Sequence, residues 1–456
     1  MARRPLDAEL SWMSGGLEFR GPNYISAPYA LDATSAIELL PLPISSHAGT
    51  SLPDVVRIRG NFFATRFDLR GPPPRFGVPA TAMTIVWWVA GVVGALFLFI
   101  VAQGMYLAMV LKWEDQHTVG MGYYGLSAAG REQFKRALRR HARLLTPILR
   151  LNASSSKLDF RKVMFQYKGV AGPQGSCSAE TFARAEAYKA RPEDVFVVTQ
   201  MKCGTTWMQN VVYEVLNRGH GDLVESGRAM YGVSPWLEGR KSVSLEAAPL
   251  LGTERPSRII KTHMPAQLCP SSNEARFIYV ARHPVSCFAS CIDFILTNVG
   301  EMAPPTPAFE EWYCSKELMW WGTWPDHVGG WWERAKQPNV LFVQFEEMKR
   351  DLPGVVGRVA EFLRMGPLGG SELARIVEKC GFAYMQEHQG NFEMQPPHVL
   401  QTNAELFVSG TADRHKDVPA ETKQRIRDWS AKEMAGSDFP LGRMYPDVTS
   451  AGSAKG

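Results

Sequence analysis

The stretch VTQMKCGTTW, residues 198–207, decides how this chain is read. A β-type run, Asp194 to Val198, feeds a short turn holding Lys202, Gly204, Thr205 and Thr206, and WMQNVVYEVLNRG then continues as a helix-like segment. A strand, a tight glycine turn and a helix start together make an anion site. The first-turn amides lack intrahelical partners, and the helix dipole favours negative charge in front of them. Lys202 adds a mobile cation, and the two threonines add hydroxyl donors. The GxxxxGKS/T pattern puts its lysine after the glycines, whereas here it precedes the only one. The expectation is a phosphate-cradling turn of a different kind.

Two later stretches present strand ends of the same sort. RIIKTHMP, residues 258–265, runs from a strand into Lys261-Thr262-His263 and is closed by Pro265. FIYVARHPVSCFAS, residues 277–290, is a strand ending in Arg282, followed by a Pro-started helix that carries Ser290. Three strand ends, in order, therefore offer lysine, histidine and arginine. In an open α/β sheet, ligands bind at such carboxyl ends.

These three stretches resemble the nucleotide-dependent sulfotransferases of the cytosolic type, which use 3′-phosphoadenylyl sulfate (PAPS). That family's loops read roughly YPKSGTTW, KTHLP and YVARNPKDVAVS. SPWLE (234–238), WGTWPDHVGGWW (321–332) and NVLFVQFEEMKRD (339–351) are similar, in the right order, to further family segments. Sulfuryl transfer needs a base on the acceptor, charge neutralisation on the leaving phosphate and tight positioning. The resemblance implies His263 as the base, a role that suits imidazole because its pKa lies near neutrality. It also implies Lys202 and Lys261 as catalytic lysines. Lys202, Gly204, Thr205 and Thr206 would hold the 5′-phosphate, Trp207 would pack by the adenine, Arg282 and Ser290 would take the 3′-phosphate, and Phe382 would stack on the purine. No metal is implied. Each residue also has a plainer reading: His263 as a satisfied core side chain, the lysines as surface charge, Trp207 as a helix anchor.

The chain departs from the family at several points. Cys203 replaces the loop serine, His283 and Val285 follow Arg282, and Phe345 stands where a tyrosine is common. The family's RKGxxGDW becomes FVSGTADRHKDV at 407–418, so Val408 and Ser409 supply no charge beside Gly410. Loss of one or two charge-assisted contacts there would cost roughly 10- to 1000-fold in nucleotide affinity.

Elsewhere the chain sets the frame. From 157 to 440 the pattern is mixed α/β, with strands expected at 194–199, 257–261, 276–281 and 340–345. Helices are expected at 205–217, 284–296, 327–336 and 354–365. This alternation predicts a P-loop-like, mainly parallel sheet covered by helices on both faces, preceded by a single transmembrane helix. The chain has 456 residues, a formal charge of +5 and seven cysteines without CxxC spacing. That composition fits reducing surroundings better than a disulfide scaffold or a zinc knuckle. Basic and aromatic residues are not interleaved as in a nucleic-acid-binding module.

Residues 1–81 read as an irregular extension rich in proline and glycine, and 441–456 as a flexible tail. Residues 82–111 contain no charge, more than the ~20 residues a bilayer span needs, with Trp87, Trp88 and Trp113 near the two ends. Within the linker region 112–156, residues 128–150 form a basic amphipathic helix. It is read either as resting on anionic lipid or as an ordinary helix on the domain. Lysine and arginine lean to the C-terminal side of the span, which points the large domain at cytosol, matrix or stroma. A Golgi-luminal arrangement stays open. Two functions compete. One is a membrane-anchored, single-pass sulfotransferase moving a sulfuryl group from PAPS to a small-molecule or lipid hydroxyl acceptor. The other is a catalytically weak or inactive accessory subunit of a large organellar membrane complex, meeting membrane lipid and other subunits through 1–111.

Overall fold

The computed structural model describes residues 80–119, 122–155, 157–246, 248–393, 396–400 and 418–449. Residues 1–79 of the expected extension, 401–417, which include 407–417 of the altered phosphate loop, and 450–456 of the expected tail lie outside them. Six strands follow in chain order: β1 (Met164–Tyr167), β2 (Val170–Pro173), β3 (Asp194–Thr199), β4 (Arg258–Thr262), β5 (Arg276–Ala281) and β6 (Val340–Gln344). The first eight helices are α1 (Ala80–Thr118), α2 (Ala128–Ser155), α3 (Ala179–Ala187), α4 (Thr205–Leu216), α5 (Met230–Val233), α6 (Pro284–Val299), α7 (Thr306–Cys314) and α8 (Trp324–Arg334). After β5 and β6 come α9 (Phe345–Arg350), α10 (Leu352–Phe362), α11 (Gly370–Lys379), α12 (Phe382–Glu387), α13 (Ala420–Met434), α14 (Leu441–Met444) and α15 (Pro446–Thr449).

The central sheet has the order β4-β3-β5-β6 and is wholly parallel, with Val198 opposite Thr262 and Thr199 opposite Val280. From β3 the chain moves to one neighbour, then crosses back to build the other side. The carboxyl end of β3 is therefore the point where such a sheet opens a crevice. Strand alternation divides the apolar side chains between two cores. Phe196, Val198, Ile260, Phe277 and Tyr279 face one core, beside Phe288 and Trp331. Val195, Val197, Ile259, Ile278 and Val280 face the other, with Val211 and Val359. Both faces are covered, which is why the strands read as unbroken hydrophobic runs.

The second core continues into the α1–α2 hairpin. Val110, Tyr123, Tyr124, Phe134, Leu138 and Leu145 are buried in it. Of the expected linker 112–156, the turn at Tyr123 and Tyr124 and the face of α2 carrying Phe134, Leu138 and Leu145 thus pack into the domain's second core. At its other end α1 is bare: from Met83 to Thr118 it is long and apolar enough to cross a membrane.

Two further differences have local causes. The hairpin β1–β2 turns at Lys168 and Gly169, both with positive φ (47° and 78°), the twist that two-residue hairpins favour. The flexible tail expected from 441 does not hold over 441–449. There Leu441, Tyr445 and Val448 are buried, and Asp447 pairs with His283 at 3.1 Å and Arg427 at 2.9 Å.

Candidate active site

The loop between β3 and α4 is bent by two left-handed residues, Lys202 (φ 65°) and Gly204 (φ 102°). Such curled backbone aims successive amides at an anion. Only glycine fits at 204: a Cβ there would meet the Phe345 ring at 2.7 Å. Gly204 opens α4, and Met208 is the first amide bonded back to its carbonyl, at 3.0 Å. The preceding amides point out of the helix start with no helical carbonyl to serve them.

Arg282, just beyond β5, closes this loop from the side. Arg282 is 5% exposed, and its guanidinium donates through Nη1 to the Lys202 carbonyl at 2.9 Å and lies 4.4 Å over the Phe345 ring. Its Nε is buried with no hydrogen-bond partner among the described residues. A buried donor left unmade is costly unless something else serves it, and an anion would. Ser290 is buried on the second turn of α6. Phe345 is also edge-on to Trp207 at 5.5 Å, and the Trp207 indole donates to the Cys380 carbonyl at 2.7 Å. Phe382 follows two residues later, opening α12 with 38% of its surface exposed.

The end of β4 supplies the other half. His263 is buried, and its Nδ1 lies 2.9 Å from the Thr199 carbonyl. A carbonyl only accepts, so Nδ1 carries the proton and Nε2 keeps its lone pair. Nε2 has no hydrogen-bond partner among the described residues. Burial first, then the nearby Lys261 charge, hold the imidazole pKa well below its ordinary value. Thr199 Oγ1 also lies 2.6 Å from Thr205 Oγ1, so one strand end ties the phosphate loop to the histidine.

Lys261 is 3% exposed and has no carboxylate within ion-pair distance among the described residues. Its ammonium lies 3.7 Å over the Trp236 ring and 4.9 Å over Tyr231. Burial pushes its pKa down to about 8, against the pull of Glu238. The structure therefore brings Lys202, Gly204, Thr205, Thr206, Trp207, Lys261, His263, Arg282 and Ser290 to adjacent strand ends. Phe382 sits at the rim.

The fold that carries this crevice can be set beside known proteins. Residues 192–438 match the sulfotransferase domain family. Sulfotransferase 2B1 of mouse is 33% identical over 265 residues, covering 56% of this chain and 75% of that protein. The chain belongs to the sulfotransferase family. Human sulfotransferase 1E1 is 30% identical over 229 residues, 49% of this chain and 76% of that protein. A mouse sulfotransferase solved as a complex with PAP is 23% identical, with coverage of 62% and 99% and a TM-score of 0.48.

Within this sulfotransferase, several site neighbours escape motif reading. Glu238 is fully buried and accepts from the His263 amide and the Thr262 hydroxyl, each at 2.8 Å. Burial raises its pKa. Its only signal is its place in SPWLE. His327 donates Nε2–H to the His263 carbonyl at 2.9 Å, and burial pushes its pKa down to about 4. The Trp321 and Trp236 rings wall the imidazole at 4.8 and 5.7 Å. Tyr231, beneath Lys261, stacks on Tyr124 of the α1–α2 turn at 5.5 Å.

Proposed function

We propose that this chain is a membrane-anchored sulfotransferase that moves a sulfuryl group from PAPS to a hydroxyl acceptor. His263 is the general base. The observation that carries this reading is the fixed tautomer of His263: Nδ1–H is committed to the Thr199 carbonyl, so the lone pair sits on Nε2. A buried, neutral imidazole of this kind takes a proton as the acceptor oxygen bonds to sulfur. The sulfur–oxygen bond to the nucleotide phosphate breaks in the same displacement, and the electron pair leaves with the phosphate oxygen.

The residues fit a nucleotide carrying two phosphates. Lys202 and the amides of 204–206 suit the 5′-phosphate, where negative charge grows as the sulfuryl leaves. Arg282, with its unserved Nε, and Ser290 suit the 3′-phosphate. Trp207 and Phe382 flank the place for the purine. Lys261, buried against two aromatic rings, adds positive charge beside the reacting centre. Anchoring by α1 is supported by its length and its exposed apolar surface.

The alternative of an accessory subunit with little or no activity is favoured by one observation. In the segment 407–418, Val408 and Ser409 stand beside Gly410 where the family's 3′-phosphate loop carries arginine and lysine, and Arg414 and Lys416 come only four and six residues after that glycine. One experiment separates the two readings. Full-length protein in bilayer discs is given sulfur-labelled PAPS and a panel of phenols, sterols and lipid alcohols. Label transfer that disappears in His263→Ala, with nucleotide binding retained, supports the enzyme. No transfer to any acceptor, together with no nucleotide binding, would contradict it.

A further inference from the structure

The helix α2 has two faces with different tasks. Phe134, Leu138 and Leu145 turn inward and are buried with the domain. Arg136, Arg140, Arg143, Leu144, Pro147 and Leu151 lie on the opposite side, all exposed, at spacings of three and four with Leu144 directly beside Arg143. Leu144 is 61% exposed and Leu151 48%. Arg139, on the same side, pairs with Glu132 at 2.6 Å. The arginines at 136, 140, 143 and 150 have no carboxylate within ion-pair distance among the described residues. An ordinary solvated face would intersperse both signs of charge. This one mixes arginine that has no carboxylate partner among the described residues with exposed leucine, as helices at a lipid interface do.

The pairing with α1 sets the height of that face. Trp113 stacks on Phe134 at 5.1 Å, and the Tyr106 hydroxyl bonds His141 at 2.8 Å. The two contacts step seven residues in opposite directions, so extending the pairing puts Leu145 level with Ala102. On α1, every side chain described from Met83 to Ala102 is exposed, and Gln103 is the first to be partly covered. Twenty residues of helix span about 30 Å, the thickness of a hydrocarbon core. On the membrane-anchored reading, Ala102 would mark the membrane boundary, and Arg143 to Leu151 would lie at headgroup depth or just below it.

We propose that the outward face of α2, from Arg136 to Leu151, binds the headgroups of anionic phospholipids. Leu144 and Leu151 enter the acyl boundary while the arginine stems carry their charges up to the phosphates. The partner is a lipid rather than free phosphate, because the exposed leucines and the alignment with α1 serve no soluble ion. The proposal rests on the membrane-anchored reading. It goes beyond that reading in naming a second, specific lipid contact.

The test uses full-length protein in bilayer discs of phosphatidylcholine mixed with phosphatidylglycerol. The lipids retained on the protein after mild detergent transfer are counted by native mass spectrometry. Wild type should retain phosphatidylglycerol in preference, and the preference should fall as ionic strength rises. Arg136→Glu/Arg140→Glu/Arg143→Glu should lower it by on the order of 100-fold, whereas the corresponding lysine variant keeps most of it. Equal retention of the two lipids by wild type, or a preference indifferent to salt and to the glutamate variant, would overturn the proposal. Release of wild type from membranes by alkaline carbonate would overturn the anchoring reading as well. That result is distinct from retention without lipid preference.

Discussion

Strand β4 carries two buried cations three residues apart, and they meet opposite fates. At its amino end, Arg258 is 4% exposed and pairs with Asp194 at 2.6 Å, reinforced by a second bond to the same carboxylate. At its carboxyl end, Lys261 is 3% exposed and rests on aromatic rings with no carboxylate in ion-pair reach among the described residues. Arg282, beyond β5 on the far side of β3, is likewise buried and lies over an aromatic ring. Burying a charge without a counter-charge is expensive. The neutralised end serves stability, and the unneutralised end keeps positive charge available to an anionic ligand. The carboxyl ends face the crevice and the amino ends do not, so topology and electrostatics agree.

The largest expected effect breaks the carboxyl end alone. His263→Ala should reduce transfer by about 10²- to 10⁴-fold and leave affinity for 3′-phosphoadenosine 5′-phosphate unchanged, as measured by labelled-sulfuryl transfer and by calorimetry. Arg258→Ala strikes the other end. Leaving Asp194 buried and unpaired should cost about 3–5 kcal/mol of stability, read from thermal or denaturant unfolding. Nucleotide affinity of the fraction that folds should be unaffected.

Lys202→Ala and Arg282→Ala should each weaken nucleotide binding by about 10- to 150-fold, from the ~1.5–3 kcal/mol of a hydrogen bond to a charged group. A loss of stability as large as that of Arg258→Ala, without a loss of affinity, would erase the distinction between the two ends. The smallest effect is a change in pH profile. As pH falls, protonation of His263 removes the base. Because its pKa is held below the ordinary imidazole value, the acid limb of kcat/KM should lie below pH 6.5. As pH rises through about 8, Lys261 loses its charge and a basic limb should appear. Lys261→Arg should move that limb upward if the charge at this position is what matters.

Much of the layout of the carboxyl strand ends was legible in sequence, and for a physical reason. Strands β3 to β6 are short apolar runs closed by polar turns, so their ends fall within one residue of the expected positions. The residues after those ends belong to local motifs. Glu238 and His327 reach His263 from 25 and 64 residues away through backbone atoms, which no spacing rule registers. Phe345 shapes Gly204 across 141 residues, and its significance appears only once the ring is seen against the loop.

The hairpin α1–α2 was legible in part. Hydropathy identified the apolar helix, but its last turns and α2 pack into the domain through Tyr123, Tyr124 and Leu138, contacts that composition does not record. Residues 441–449 do not form the expected tail, because Leu441, Tyr445 and Val448 are buried against the domain, a contact that local sequence does not register. Asp447 in fact braces His283, next to Arg282, and its hydrogen bond with that imidazole, with the nearby Arg427 charge, lowers its carboxyl pKa.

The central claim is that the carboxyl strand ends form a working nucleotide site. The most direct measurement is calorimetric titration of full-length protein, in bilayer discs, with 3′-phosphoadenosine 5′-phosphate. Binding in the micromolar range or tighter, abolished in the Lys202→Ala/Arg282→Ala double variant, is the predicted result. No detectable heat from correctly folded protein would contradict the account, and would leave a sulfotransferase fold serving an assembly rather than a reaction.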